Sequence, residues 1–262
     1  MAKEPSAWDK NQEGKHKIII EKFFSRKLKS ALKRSKNPLQ VGDDIATILE
    51  KSDKEVVKIV TPRAIRKWAS ERTLKKWQRI INDPRMLMEL RIIGKSIANT
   101  MRPLAGNNFA LWITKILNTY FEDTKLPLKA IMKGKIKAEL SRKFRVKIKG
   151  QQENRDYKPD IDIILVRSDL NEKAVAIISS KTTLAERVMQ TISWSRFLKS
   201  KTSSMKKIKI YLVTAWDTFE MGTNRERVQE LDGVYVCNKE VSEYGKIKRF
   251  SKIGEELKRL CC

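Results

Sequence analysis

The sequence has few of the residues that build metal-binding and thiol-based sites. It contains a single histidine, His16, three cysteines and no Cys-x-x-Cys pair in 262 residues. Zinc sites usually draw several ligands from histidine and cysteine, so zinc fingers, zinc deaminase sites and HNH-type nuclease sites are excluded. A Ser-His-Asp triad would have to use His16, which lies in a charged N-terminal arm.

Long apolar runs and negative charge are also scarce. No apolar stretch reaches the about 18–20 residues that a membrane-spanning helix requires, and residues 1–17 lack the apolar region of a signal peptide. We therefore expect a cytoplasmic protein. Acidic residues number 31 against 57 Lys and Arg, which gives a formal net charge of +26. Such an excess repels itself unless an anion neutralises it, so nucleic acid is the first candidate partner and an anionic membrane surface the second.

The first 124 residues are predicted to form a basic helical domain. Lysine and arginine crowd residues 15–36, whose apolar side chains recur at the spacing of an amphipathic helix. Thr61-Pro62 combines an N-cap residue with proline at the first helical position. We expect this domain, 1–124, to contact nucleic acid or mediate dimerisation, and a second domain to span 125–262.

From residue 125 onward, short apolar strands alternate with amphipathic helices. Strands are indicated by alternating or continuous apolar residues, and helices by apolar residues three or four positions apart. The predicted order is αβββαβ, which makes the domain α/β, of the α+β type. The elements are a helix at 127–144, strands at 144–150, 159–166 and 174–180, a helix at 185–201, strands at 207–217 and 234–238, and a helix at 250–260.

Two charged residues stand at the ends of neighbouring predicted strands. Asp160 lies at the start of one strand, and Lys181 follows the next strand 21 residues later. Hydrolysis of a phosphodiester commonly uses a divalent metal, an activated water and a positive group that offsets the developing charge. Mg²⁺ prefers carboxylate and phosphate oxygens. Asp160 is therefore a candidate magnesium ligand, and Lys181 a candidate for the positive group.

The residues around this pair resemble the PD-(D/E)xK nucleases. Pro159-Asp160, then Ser179-Ser180-Lys181 and the run KTTLAERVMQ, are similar to motifs of type II restriction endonucleases that cut CCGG, CCNGG or CCWGG sites. EcoRII, PspGI and NgoMIV belong to this group, in which a small residue often stands two positions before the lysine. The chain's size and basic helical N-terminal part suggest a BsaWI-like member. The resemblance spans roughly residues 131–217 and implies an αβββαβ nuclease core with a mixed sheet.

The resemblance implies Mg²⁺-dependent, sequence-specific cleavage of double-stranded DNA. The expected target is a short palindrome with a CCGG-type core, W/CCGGW being one candidate. Asp160 would bind the metal, and Lys181 would orient or deprotonate the attacking water. Glu139, on the predicted helix before the first strand, would supply the second metal-binding carboxylate. Asp162 and Glu186 are the open alternatives for that second carboxylate.

The residues after Lys181 are candidates for base recognition. Glutamate can accept a hydrogen bond from the cytosine amino group, and arginine can donate two to guanine O6 and N7. Glu186 and Arg187, at the start of a predicted helix, could thus read a C:G pair, with Gln190 beside them. Thr182 and Thr183 are expected near the DNA backbone or base edges.

Two positions depart from the pattern of the resembled group. Ala185 stands where the group usually has an arginine that reads the outer guanine. Trp194 stands in the region where the group often places a metal-binding acid, and the sequence has no acidic residue between Arg187 and Ala215. Another residue must replace each function, or the target differs from a plain CCGG core.

A palindromic target predicts a two-fold homodimer, with a tetramer acting on two sites as the open alternative. The resemblance further implies a bacterial or archaeal source and a cognate DNA methyltransferase encoded nearby. Two other functions remain open at this point. One is a structure-specific repair or junction nuclease on the same fold, and the other is a non-catalytic nucleic-acid-binding protein.

Overall fold

The computed structural model describes part of the chain. Two compact units are present, residues 1–30 with 47–108 and residues 31–46 with 109–262. The division into domains 1–124 and 125–262 stays a prediction. Among the described residues, no helix is both long and apolar enough to cross a bilayer. The described residues are 21–23, 25–51, 54–55, 58, 106, 108–136, 144, 146–149, 154–157, 161–182, 187–216 and 222–261.

Helices and strands are numbered in chain order. The helices are α1 (25–34), α2 (Pro38–Asp43), α3 (45–51), α4 (108–124), α5 (Arg187–Lys201), α6 (Ser203–Lys206), α7 (Gly222–Arg227) and α8 (Ile253–Arg259). The strands are β1 (Leu128–Met132), β2 (Val146–Lys149), β3 (Asn154–Tyr157), β4 (Ile163–Arg167), β5 (Lys173–Lys181), β6 (Lys209–Thr214), β7 (Gly233–Val236) and β8 (Ile247–Arg249).

A mixed sheet in the order β1-β4-β5-β6-β7-β8 forms the centre of the second unit. β1 and β5 are both antiparallel to β4, whereas β5 through β8 run parallel. Four strand ends consequently meet on one side of the sheet: β1 ends at Met132, β4 begins at Ile163, β5 ends at Lys181 and β6 ends at Thr214. We call this side the Lys181 edge. The mixed-sheet core predicted from the sequence is confirmed.

The first two elements of that core differ from the prediction. Residues 128–132, predicted as helix, form strand β1, because Leu128 and Ala130 are buried while Lys129 is exposed. This two-residue alternation is typical of an edge strand with one buried face. Burial of that face stabilises the strand more than the helix propensity of Leu, Lys and Ala stabilises a helix. The order αβββαβ still holds for the main sheet, but α4 and β1 provide its first helix and strand.

The strand predicted at 144–150 forms outside the main sheet. β2 pairs antiparallel with β3, which the sequence reading did not predict, and the two strands make a separate ribbon. Residues 137–143, which include the predicted ligand Glu139, lie outside the described part of the chain. The prediction for Glu139 therefore stays a prediction.

Asn118 ties helix α4 to the outer side of β1. Its Nδ2 donates to the carbonyl of Ala130 at 3.0 Å, and its Oδ1 accepts from the Ala130 N–H at 2.8 Å. This pair satisfies backbone groups that would otherwise be open at the edge of the sheet. Side chains of α4 are buried as well, namely Phe109, Trp112, Ile113, Ile116 and Leu117.

Helix α5 covers one face of the sheet. Val188, Ile192 and Leu198 are buried in the same apolar cluster as Ile164, Ile177, Ile210 and Leu212 of β4, β5 and β6. The helix follows β5 and precedes β6, so it is the crossover between two parallel strands. Its first turn consequently comes soon after Lys181 in the chain.

Asp232 fixes the second half of α5 to the start of β6. Its Oδ2 accepts from Lys199 Nζ at 2.8 Å and from the Ile210 N–H at 2.9 Å. Burial alone would raise the pKa of Asp232, but the hydrogen bonds from Lys199 and Ile210, with nearby ammonium charges, hold that pKa below its ordinary value. The native state is therefore stabilised by the ionised carboxylate.

We expect Asp232→Asn to lower the free energy of unfolding at neutral pH by about 1–3 kcal/mol, the usual range for hydrogen bonds to a charged group. Because the folded pKa is lowered, the native state binds fewer protons than the unfolded chain near pH 4. The stabilisation is thus complete above the ordinary pKa and is lost as pH falls through the folded pKa. Urea unfolding between pH 3 and 7 should show the two proteins converging in acid.

Glu230→Gln is the matched control for this prediction. Glu230 also bridges to α5, through Arg196 at 2.7 Å, but both side chains are largely exposed. Exposed ion pairs are screened by solvent and stabilise little. A larger loss for Glu230→Gln than for Asp232→Asn would contradict the assignment of Asp232 as the anchor of α5.

Candidate active site

Lys181 is a buried lysine at the carboxyl end of β5. Its side chain is only 5% exposed. It pairs in register with Thr214 at the end of β6, and its carbonyl accepts from the Ala215 N–H at 3.3 Å. Burying an ammonium group is unfavourable unless anionic or polar partners compensate for the lost water. The buried Lys181 therefore needs such partners.

Asp162 provides such a partner. Its Oδ2 accepts from Lys181 Nζ at 2.7 Å and from the Ser180 N–H at 2.8 Å, and its side chain is 16% exposed. Its backbone carbonyl accepts from the Lys133 N–H at 2.8 Å. Asp162 is thus fixed by its side chain to β5 and by its backbone to the turn after β1.

The sequence predicts Asp162 as an alternative second metal ligand, whereas in the structure it is the direct partner of Lys181. The register of the antiparallel strands explains the contact. Because Ile163 pairs with Ile178, Asp162 lies beside the last residues of β5. Other predicted site groups lie outside the described part, namely Asp160, Glu139, Glu186, Thr183 and the side chain of Arg187.

Ser179 contacts helix α5. Its Oγ accepts from Thr191 Oγ1 at 3.3 Å, and both residues are buried. A longer acidic side chain at this position would have to compete with Thr191 for the same space. Ser179 thus contributes to the packing of α5 against the sheet, at the position where the PD-(D/E)xK motif has an acid.

The described residues of the predicted base-reading segment face solvent in part. Thr182, directly after Lys181, is half-buried, and Gln190 in the first turn of α5 is exposed. Beside Gln190, the exposed Met189 accepts a weak contact from Arg227 Nη1 at 3.7 Å. Trp194 is half-buried and packs edge-on against Phe197, with ring centroids 6.3 Å apart. The position that relatives often give to an acid is therefore used here for aromatic packing.

The donor set at the Lys181 edge fits a hard cation such as Mg²⁺ only if further residues contribute. Within the described ranges, no group of three or more His, Cys, Asp or Glu is placed to hold a metal ion. Mg²⁺ usually needs one or two carboxylates and takes its remaining ligands from phosphate and water. Asp162 offers one carboxylate, and the sequence supplies Asp160 two residues before it.

Comparison with known proteins agrees with the resemblance. Residues 134–258 match the family model of BsaWI restriction endonuclease type 2. A curated relative, MjaVIP of Methanocaldococcus jannaschii, is assigned as a type II restriction enzyme. It is 31% identical over 112 residues, which cover 38% of this chain and 49% of the relative. This chain thus spans about half the length of that relative.

Among solved structures, PspGI shows the same fold. The restriction endonuclease PspGI in a complex with substrate DNA aligns over 94% of this chain and 92% of its own, with a TM-score of 0.52 and 16% identity. Metal-depleted Ecl18kI with uncleaved DNA aligns with a TM-score of 0.44 and 15% identity, over 95% of this chain and 84% of its own. The sheet topology and the similarity to PspGI show that this chain has the fold of the PD-(D/E)xK nucleases, and residues 134–258 are similar to the BsaWI restriction endonuclease family.

Proposed function

We propose that this chain hydrolyses both strands of DNA at a short palindromic sequence, as a type II restriction endonuclease. The observation that carries the proposal is the buried Lys181 ammonium, held 2.7 Å from Asp162 at a sheet edge inside the matched domain. A structural lysine at a strand end would normally extend its amine into water. An ammonium fixed at the carboxyl end of two parallel strands can instead offset the charge of an anionic substrate.

The roles of the site residues follow from their chemistry. Asp160 would hold Mg²⁺, which would supply Lewis-acid stabilisation of the phosphate. Lys181 orients or deprotonates the attacking water and offsets the charge that develops on the phosphate. Asp162 fixes the position of the Lys181 ammonium, so this group needs little reorganisation during the reaction.

Glu139 is the proposed source of the second carboxylate. Asp162 and Glu186 are the alternatives, but Asp162 Oδ2 already accepts hydrogen bonds from Lys181 and from the Ser180 N–H. This engagement makes Asp162 better suited to anchoring the lysine than to binding a metal. Glu139 is therefore favoured over Asp162, whose Oδ2 is already hydrogen-bonded.

Base recognition is assigned to the first turn of α5. Glu186 and Arg187 read a C:G pair of a CCGG-type core, for which W/CCGGW is one candidate. Gln190 is exposed and lies three residues after Arg187 in the chain. Thr182 and Thr183 lie between this turn and Lys181 and contact the backbone or base edges. A palindrome read in this way requires a homodimer, or a tetramer for two sites.

We expect Arg187→Ala to weaken binding to the cognate site by about 5–150-fold, because a bidentate contact to guanine contributes about 1–3 kcal/mol. Binding to unrelated duplexes should change little. Arg196→Ala in the same helix is the control, since Arg196 pairs with Glu230. Competition binding against both kinds of DNA measures the effect, and equal losses for cognate and unrelated DNA would contradict a base-reading role.

The proposed activity is tested by incubating the protein with phage DNA and Mg²⁺ and sequencing the ends. Discrete fragments that share one palindromic end sequence support a restriction endonuclease. Cleavage confined to branched or damaged DNA would indicate the repair or junction nuclease instead. DNA binding without cleavage would indicate a non-catalytic nucleic-acid-binding protein.

A restriction endonuclease acts on DNA inside the cell. This chain would act in the cytoplasm of a bacterium or archaeon, on double-stranded DNA and without a membrane partner. A nuclease of this kind needs protection of the host genome, so a cognate DNA methyltransferase should be encoded nearby. Loss of the neighbouring methyltransferase gene should then make this chain toxic to its host.

A further inference from the structure

A basic turn borders the candidate active site on the Lys181 edge. Lys133–Lys135, of sequence KGK, forms a 3₁₀ turn directly after β1. All three residues are exposed. The Lys133 N–H donates to the carbonyl of Asp162 at 2.8 Å, which fixes the turn beside the residue that holds Lys181.

The turn presents charge without steric obstruction. It carries two lysines and no acidic residue within its three positions. Among the described residues, a Cβ added to Gly134 would meet no atom within 4 Å. The backbone at Gly134 is not in the left-handed region, so this glycine is not required by local conformation. An exposed, positively charged turn next to the Lys181 site is suited to bind a polyanionic ligand.

We propose that the turn Lys133–Lys135 binds backbone phosphates of duplex DNA next to the phosphate that is cleaved. The inference rests on the proposed function and adds to it a contact that reads no sequence. Lysine contacts to phosphate fix the register of a protein on DNA and contribute affinity through release of counterions. The turn would therefore hold the DNA backbone against the Lys181 edge, and the first turn of α5 would read the bases.

The test compares two double variants with equal charge loss. Lys133→Gln with Lys135→Gln removes the charge of the turn. Lys206→Gln with Lys207→Gln removes two exposed lysines that precede β6, at the side of the sheet opposite the Lys181 edge. Equilibrium binding to a generic duplex is measured over a range of NaCl concentrations without divalent metal, so that no cleavage occurs.

The first double variant should bind more weakly, and its slope of log affinity against log salt should fall by about 2 units, close to 0.9 for each lost phosphate contact. The Lys206 and Lys207 variant should keep the wild-type slope. Equal losses in both variants would overturn the inference, because they would show a general effect of net charge. Unchanged binding of the first variant would overturn it as well.

Gly134→Leu provides a second, steric test. Gly134 is exposed and no described atom lies within 4 Å of an added Cβ, so we expect the thermal unfolding temperature to stay that of the wild type. Affinity for duplex DNA should fall, because the leucine would occupy the space proposed for the phosphate backbone. Wild-type affinity in this variant would contradict the proposed contact.

The outcomes separate this inference from the proposed function. If the wild type cleaves DNA at a defined sequence and the turn variants bind normally, only the contact by the turn is wrong. If the wild type binds no duplex DNA at any salt concentration, both proposals are wrong.

Discussion

Lys181→Met is expected to slow DNA cleavage by about 10²–10⁴-fold, the range typical of a positioned acid–base group. Methionine keeps an unbranched side chain of similar length in the buried site, but it can neither exchange protons nor offset phosphate charge. Duplex binding should change little, because most affinity comes from phosphate contacts elsewhere. Single-turnover cleavage with saturating enzyme and Mg²⁺ measures the rate separately from binding.

Lys173→Met is the control for this substitution. Lys173 begins the same strand, β5, and is exposed at the side of the sheet opposite Lys181. Its replacement removes the same charge from the chain and should leave the cleavage rate within about twofold of the wild type, since surface substitutions away from special features have small effects. Similar rates for Lys181→Met and wild type would remove Lys181 from the catalytic machinery.

Asp160→Asn and Asp162→Asn are expected to fail in different ways. Asp162 accepts from a buried ammonium and from a backbone N–H, so its neutral replacement should destabilise the fold. Removing one partner of a buried ion pair typically costs about 3–5 kcal/mol, an upper value here because Lys181 has a further interaction besides Asp162. Asp160→Asn should abolish cleavage through loss of the metal ligand and leave the unfolding free energy much closer to that of the wild type.

Both variants should be compared by urea unfolding and by cleavage at several Mg²⁺ concentrations. For Asp162→Asn we expect reduced stability and slow cleavage with an unchanged Mg²⁺ requirement. For Asp160→Asn we expect near-normal stability and no cleavage at moderate Mg²⁺. The reverse pattern, with a raised Mg²⁺ requirement only in Asp162→Asn, would assign metal binding to Asp162 and leave Asp160 without its proposed role.

The order of elements could be predicted from the sequence, but the identity of the first ones could not. The segment LKAIM contains good helix formers, and its two-residue alternation is only five residues long. Its strand conformation depends on pairing with β4 and on the side chain of Asn118, which lies ten residues before β1. Such contacts are tertiary, and neither propensity nor periodicity reports them.

In the site, too, individual residues could be predicted from the sequence, but their contacts could not. Lys181 could be singled out because a lysine directly after a continuous apolar strand is locally anomalous. Asp162 could be placed near it by the two-residue period of β4, but its direct bond to Lys181 depends on the register between β4 and β5. The sequence identifies Ser179 only as the small residue two positions before Lys181. Its contact with Thr191 became visible once α5 was placed over the sheet.

The central claim is that Lys181 and Asp162 mark the catalytic centre of a sequence-specific DNA nuclease. The most direct measurement is to sequence the ends that wild-type protein and Lys181→Met produce from phage DNA with Mg²⁺. We predict that wild-type ends share one short palindrome and that Lys181→Met produces almost none of them. Ends scattered without a common sequence, or equal cutting by the variant, would contradict the claim.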